Sequence, residues 1–183
     1  MDSHLNSVSS TIAFRIKQFN PLKSYANEIT RKRYAVSNLL SVLEYGLPLY
    51  AGETPKIKLQ VHRNLMVISR FIKGSYCFRQ STKSILDSIR FPDSDQLIAQ
   101  NTVKYIHKII HSRRPKGVYK LFRKQRSRKC TLIYPNYFSS TLLFDRNVYN
   151  KSIKMYNSLP AELRCLPPHK FNKKIKEIRI ETK

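Results

Sequence analysis

Glycine, cysteine and long apolar runs are scarce in this 183-residue chain, and each shortage argues against a class of protein. Strand-rich folds need many glycine turns, so the presence of only 4 glycines favours helices. The three cysteines, Cys77, Cys130 and Cys165, are far apart and odd in number, which argues against a disulfide framework and indicates a reducing compartment. No apolar run approaches the roughly 20 residues that a membrane-spanning helix needs. We therefore expect an intracellular protein, in the nucleus or the cytoplasm, without a transmembrane segment.

Residue patterns that mark catalytic or metal centres are also missing. The chain has no glycine-rich phosphate loop, no Gly-x-Ser-x-Gly elbow and no Cys-x-x-Cys pair. His107 and His111 have the spacing of a two-histidine metal site, but no glutamate or cysteine nearby completes it, so we interpret them as surface histidines near phosphate. Asp93 and Asp95 precede a predicted helix, where capping explains them better than two-metal catalysis. The sequence predicts no catalytic residue, no metal ion and no cofactor.

Positive charge dominates what is present. Lysine and arginine total 35 against 11 aspartates and glutamates, a net charge of +24. A folded domain with this excess repels itself, which indicates a polyanionic partner. Nucleic acid is the first expectation, followed by an anionic membrane surface or an acidic protein. A merely soluble surface is the alternative, but solubility requires a net charge of only roughly 2–8.

The charge is concentrated between residues 96 and 144, a stretch without an acidic residue. Aromatic residues are interleaved there, and they would either stack on unpaired bases or belong to the core, among them Tyr105, Tyr119, Phe122, Tyr134, Tyr137 and Phe138. The stretch holds eleven basic residues: Lys104, Lys108, Arg113, Arg114, Lys116, Lys120, Arg123, Lys124, Arg126, Arg128 and Lys129. Such a cluster attracts phosphate, and binding releases counterions.

Apolar residues at helical spacing predict helices along most of the chain. The clearest pattern begins at Thr54-Pro55, which suit the cap and the first helical position, and ends at Gly74. Its predicted buried face is Ile57, Val61, Leu65, Ile68 and Ile72. Its other face carries Lys58, Arg63, Arg70 and Lys73, which makes the helix amphipathic with a cationic outer side.

Weaker patterns predict further helices on both sides of this one. Before it, we expect one helix with Ile12, Ile16 and Phe19 inward and another over residues 24–45 with Val36, Leu39, Leu40 and Leu43 inward. After it, we expect helices over residues 82–90 and 93–112, the latter with Ile98, Tyr105, Ile106 and Ile109 inward, and two turns around residues 118–125. Two more are expected around residues 151–156 and after Pro167-Pro168, the last with Phe171, Ile175 and Ile178 inward. The β-prone residues around Pro135-Asn136 predict a small hairpin. The expected fold class is mainly α, with an irregular or β-hairpin segment near residues 130–145.

Three stretches of the chain resemble the region that follows the polymerase palm in reverse transcriptases of non-LTR retrotransposons, of the jockey and related insect-type groups. The first is SVLEYG at residues 41–46 followed by RFIKG at 70–74, and the second is YIHKII at 105–110. The third and most specific is YNSLPAELR at 156–164 followed by FNKKIK at 171–176. In the third, Ser158 is expected to cap a short helix, with Leu159 and Leu163 packing together.

This resemblance implies a helical, bundle-like thumb region over residues 1–75 and a basic helical extension over residues 76–183. It implies a role in gripping RNA or a template–primer. The parent family is an RNA-directed DNA polymerase, but its paired palm aspartates do not occur in this sequence. The resemblance therefore implies ancestry and binding without activity.

The leading hypothesis is a non-catalytic, nucleic-acid-binding fragment or remnant of such a polymerase, with RNA or DNA as its partner. One alternative is an accessory thumb subunit that completes a polymerase when another chain supplies the palm. Another is a basic interaction protein for acidic partners or membranes. The expected phosphate contacts are Arg113, Arg114, Lys116, Lys120, Arg123, Lys124, Arg126, Arg128 and Lys129, with Arg63 and Arg70 in second place.

Overall fold

Helices make up most of the described chain, which in this computed structural model comprises residues 2–51, 54–74, 80–126, 131–135, 148–178 and 180. The helices are α1 Asp2–Phe19, α2 Glu28–Tyr34, α3 Ser41–Gly46, α4 Pro55–Lys73, α5 Thr82–Ile89, α6 Ser94–Ser112, α7 Lys116–Tyr119, α8 Val148–Asn157, α9 Ala161–Arg164 and α10 Pro168–Lys174. Short 3₁₀ turns span Asn20–Leu22 and Leu47–Tyr50, and a π-helical segment spans Ala35–Leu40. Strands β1 Phe122–Arg126 and β2 Thr131–Pro135 form an antiparallel pair. The expected class, mainly α with a small hairpin, is confirmed.

The chain divides into two compact units that are not contiguous in sequence. Unit 1 contains Met1–Gly46 and Thr54–Asp95, and unit 2 contains Leu47–Glu53 and Gln96–Lys183. The division expected from the sequence, between residues 75 and 76, stays a prediction about domain organisation.

The core of unit 1 lies between α1 and α4. Helix α1 buries Leu5, Val8, Ile12 and Phe19 at spacings that place them on one face, while Ile16 is half-buried. The ring of Phe19 lies 4.5 Å from that of Tyr34 and 5.2 Å from that of Phe71. Each of the four buried side chains of α1 contributes about 1.5–3 kcal/mol of transfer free energy.

Helix α4 forms where its local signals predicted it. The five residues of its predicted inner face, Ile57, Val61, Leu65, Ile68 and Ile72, are all buried. Thr54 occupies the N-cap position but its side chain makes no capping hydrogen bond, and Pro55 begins the helix. Gly74 ends it in the left-handed conformation, with φ of 73°.

The predicted second helix contains an unexpected π-helical segment. Residues 28–46 run through α2, Ala35–Leu40 and α3, and the one-residue widening of a π-turn rotates the inner face. Ala35, Leu39 and Leu43 are therefore buried, whereas Val36 is 45% exposed and Leu40 is half-buried. The expectation that Val36 points inward was wrong, because the regular 3.6-residue period does not hold through this segment.

The side chain of Arg31 closes the C-terminal end of α4. Its Nε donates to the carbonyl of Ile72 at 2.9 Å, and its Nη2 donates to the carbonyl of Lys73 at 3.4 Å. Its Nη1 donates to the carbonyl of Ala26. The guanidinium thus satisfies carbonyls that the last helical turn leaves without donors, and it opposes the negative end of the helix dipole.

Replacing Gly74 with alanine is expected to destabilise the chain by about 1–3 kcal/mol. The left-handed φ strains an L-residue, and a Cβ would lie 2.7 Å from Nη2 of Arg31 and so displace the guanidinium. Denaturant unfolding measures the change. Gly117→Ala is the control, because a Cβ there meets nothing within 4 Å. Equal midpoints for the two variants would contradict this account.

The core of unit 2 is built on α6, with α8 and α10 packed against the same hydrophobic cluster. Ala99, Val103, Ile106 and Ile109 of α6 are buried in this cluster, together with Ile153, Tyr156, Phe171 and Ile175. Tyr105, expected inward, is 40% exposed, because it lies one residue from the buried row and is rotated by about 100° around the helix. The Gln96 side chain exchanges two hydrogen bonds with the backbone of Ile180, at 2.6 and 2.8 Å.

The hairpin begins earlier than predicted. Phe122 and Gln125 were expected on a helix, but residues 122–126 form β1 and pair with β2, with Phe122 opposite Pro135. Alternation places Phe122 and Ile133 inward, which overrides the weak helical pattern. Asn157 at the end of α8 pairs with Ile133 of β2 in the manner of a strand, donating to its carbonyl at 2.7 Å and accepting from its N–H at 3.2 Å. The part of the hairpin expected after Pro135 lies outside the described residues.

The stretch after α8 differs from expectation in its cap. Pro160, and not Ser158, is the N-cap residue of α9, and the Ser158 hydroxyl donates back to the carbonyl of Met155 at 2.8 Å. Leu159 and Leu163 are both buried in the unit 2 core. This stretch therefore anchors the end of α8 to the core.

Candidate nucleic-acid interface

A basic segment, residues 113–123, follows the C-terminal end of α6. Arg113 leaves the helix with φ of 56°, and the Ser112 hydroxyl accepts the Arg114 N–H at 3.2 Å. The short helix α7 then leads to Phe122, which is buried and lies 5.0 Å from the Tyr149 ring. The Tyr149 hydroxyl donates to the carbonyl of Leu121. The segment is thus tied to the folded core at both ends.

The cationic side chains of this segment face solvent. Arg113, Arg114, Lys116, Lys120 and Arg123 are all exposed. Because no acidic residue interrupts this part of the sequence, their potentials add. Lys124 and Arg126 belong to β1 by backbone, whereas their side chains, and Arg128 and Lys129 altogether, lie outside the described part of the structure.

The interleaved aromatic residues divide into core and surface. Phe122 is buried, and Tyr119 and Tyr134 are half-buried, so these rings serve mainly as packing. Tyr105 is exposed on α6, three residues before the exposed Lys108, which places a ring and a cation on neighbouring positions of one helix face. Tyr137 and Phe138 lie outside the described residues.

The two second-choice contacts, Arg63 and Arg70, lie on α4 in unit 1. Arg63 is exposed, and Arg70 is half-buried at a cavity that Lys17 and Lys23 also line. Lys17 and Lys23 were missed by sequence reasoning, because they lie some 50 residues from Arg70 and no local pattern joins them. Lys17, Lys23 and Arg70 line one cavity because α1 packs against α4.

His107 is a core residue and was wrongly expected at the surface. Its side chain is 1% exposed and stacks on Phe171 with a ring separation of 3.8 Å. Its Nε2 donates to the carbonyl of Leu166 at 3.0 Å, which leaves Nδ1 to accept from the Tyr156 hydroxyl at 3.1 Å. Burial, reinforced by the charge of nearby His111 and opposed by the Leu166 hydrogen bond, lowers the pKa of His107 from 6.5 to about 4. His111 is exposed, as expected.

Acidic and sulfur ligands are not gathered into a metal centre in the described part of the chain. Within those ranges, no group of three or more histidine, cysteine, aspartate or glutamate side chains is placed to hold a metal ion. Asp95 lies in the first turn of α6, where a carboxylate is favoured, and pairs with Lys58 at 3.1 Å. Cys165 is exposed and forms no disulfide, and Cys77 and Cys130 lie outside the described residues.

Comparison with known proteins adds no relative. No family model, curated protein or solved structure matches this chain. None of the helices in the described ranges has the length and apolar character needed to cross a membrane.

Proposed function

We propose that this chain is a non-catalytic nucleic-acid-binding module that contacts phosphates through the basic segment. The observation that carries the proposal is the exposure of all five of its described cationic side chains: Arg113, Arg114, Lys116, Lys120 and Arg123. They lie within eleven residues on a segment held to the core by Phe122 and Leu121. An anchored row of cations binds a polyanion with less loss of conformational freedom than a flexible tail does.

Phosphate contacts of this kind position a strand without reading its bases, so we expect weak sequence preference. RNA and single-stranded DNA are the favoured ligands, because Tyr105 and Lys108 offer an exposed ring beside a cation on unit 2. The resemblance to the post-palm region of non-LTR reverse transcriptases supports the same partner. That resemblance rests on the three sequence stretches alone.

Binding is expected to weaken steeply with salt. Five phosphate contacts give a slope of log affinity against log salt near −3.5 for single strands and near −4.5 for duplex DNA. Fluorescence anisotropy with labelled RNA, single-stranded DNA and duplex DNA, between about 50 and 300 mM salt, measures both slopes. An affinity that does not change with salt concentration, or no binding at low salt, would contradict the proposal. Flotation with anionic vesicles in the absence of nucleic acid tests the membrane alternative.

A further inference from the structure

Two adjoining cavities in unit 1 combine an apolar wall with a cationic rim. The first, of about 280 Å³, is lined by Ala13, Ile16, Lys17, Asn20, Lys23, Val67, Arg70 and Phe71. The second is a more open cleft of about 500 Å³ lined by Asn20, Lys23, Ser24, Arg31, Lys73 and Gly74. Asn20 and Lys23, which lie at and just after the turn that follows α1, line both cavities.

Two of the basic residues that line these cavities are engaged in contacts within unit 1. Arg31 is engaged with the carbonyls at the end of α4, and Lys73 pairs with Glu28 at 3.3 Å. Both therefore serve the fold. Lys17 and Arg70 line only the first cavity, and no acidic residue is among the residues that line either space. The rim of the first cavity is thus suited to an anion.

The wall of the first cavity is suited to an apolar group with polar edges. Ala13, Ile16 and Val67 provide apolar contact, and the Asn20 amide offers both a donor and an acceptor. A nucleobase with its exocyclic groups fits these requirements, whereas an acyl chain would leave the Asn20 amide without a partner and a bare phosphate would leave the apolar wall without contact.

We infer that this cavity takes one unpaired base of a single-stranded nucleic acid, with the adjoining phosphates at Lys17 and Arg70. A volume of about 280 Å³ lies just below the range of roughly 300–1,000 Å³ for ligand pockets and admits one such group, not a duplex. This inference rests on the proposed function, since it requires the chain to bind nucleic acid. It adds a second contact region, in unit 1, that recognises bases and not only phosphates.

The test compares a short single-stranded oligonucleotide with one of equal length in which every base is removed. The whole chain is expected to bind the intact strand about tenfold more tightly than the abasic strand at the same salt concentration. Val67→Trp, which fills the cavity, is expected to remove most of that difference, and the remainder belongs to stacking on Tyr105 of unit 2. Leu59→Trp is its control, because Leu59 is 48% exposed and Val67 is 44% exposed on the same helix. Thermal melting verifies that both variants fold.

Two variants that each remove one positive charge test the basic residues at the rim of the first cavity. Arg70→Gln is expected to weaken binding of the intact strand by roughly fivefold to tenfold. Lys83→Gln removes one exposed charge from α5 and is expected to change binding less than twofold. Equal binding of intact and abasic strands by the unmodified chain overturns the cavity inference and leaves the basic segment intact as a binding surface. Failure to bind either strand overturns both proposals.

Discussion

Replacing the five exposed cations of the basic segment with glutamine is expected to lower nucleic-acid affinity by a factor on the order of 10²–10³ at moderate salt. The residues are Arg113, Arg114, Lys116, Lys120 and Arg123. Each phosphate contact contributes about 0.7 to the slope of log affinity against log salt for single strands and about 0.9 for duplex DNA. The five substitutions together should therefore flatten that slope by about 4, which an anisotropy series at several salt concentrations measures directly.

A second variant with the same net charge separates a local surface from a bulk effect. Lys154, Lys170, Lys173, Lys174 and Lys176 are exposed residues of unit 2 outside the basic segment. Changing these five to glutamine removes the same amount of charge, and we expect the slope to change by about 1 or less. If both variants lose affinity equally, binding depends on the net charge of +24 as a whole and not on the position of the basic segment.

His107 is expected to make the chain less stable in acid, by about 3 kcal/mol between pH 6.5 and pH 4. In the unfolded chain the imidazole takes up a proton near its ordinary pKa of 6.5, but in the folded chain it stays neutral down to about pH 4. Between these values the unfolded state holds more protons, so lowering the pH favours unfolding. The stability that neutral His107 contributes is fully present above pH 6.5 and is lost as the pH falls through 4.

Urea unfolding at several pH values between 4 and 7.5, for the natural chain and for His107→Gln, measures this contribution. Glutamine can donate to Leu166 and accept from Tyr156 without titrating, so most of the pH dependence in that window should disappear. His111→Gln is the matched control, one turn away and exposed. It should retain most of the dependence, because the charge of His111 is only the second cause of the lowered pKa. If the free energy of unfolding depends on pH in the same way for the natural chain and for His107→Gln, His107 is not the source of the pH dependence.

The elements predicted correctly are those whose signals are local. Helix α4 carries its start, its apolar stripe and its terminal glycine within 21 residues of sequence, and the structure reproduces all of them. The exposure of the basic segment was expected for a similar reason, because five charges in eleven residues find no buried position without partners.

The features that sequence reasoning missed depend on contacts between distant residues. Val36 points outward because the π-helical segment changes the period, and β1 forms because its partner strand and α8 hold Phe122 in the core. The burial of His107 depends on a tyrosine 49 positions further along the chain and a carbonyl 59 positions away. The cavity at Lys17, Lys23 and Arg70 likewise joins two helices far apart in sequence. None of these has a signature within a short window.

The crossing of the chain between the two units has a consequence for the order of synthesis. Unit 1 is complete once residue 95 has been made, but residues 47–53 belong to unit 2, whose remainder begins at residue 96. Leu47 and Tyr50 are buried in the finished protein, and Leu47–Tyr50 packs against α8, which begins at Val148. At a synthesis rate of roughly 5–20 residues per second, about 5–20 s pass between the synthesis of these two residues and that of their partner helix. This short segment is therefore a place where a chaperone has time to bind the growing chain.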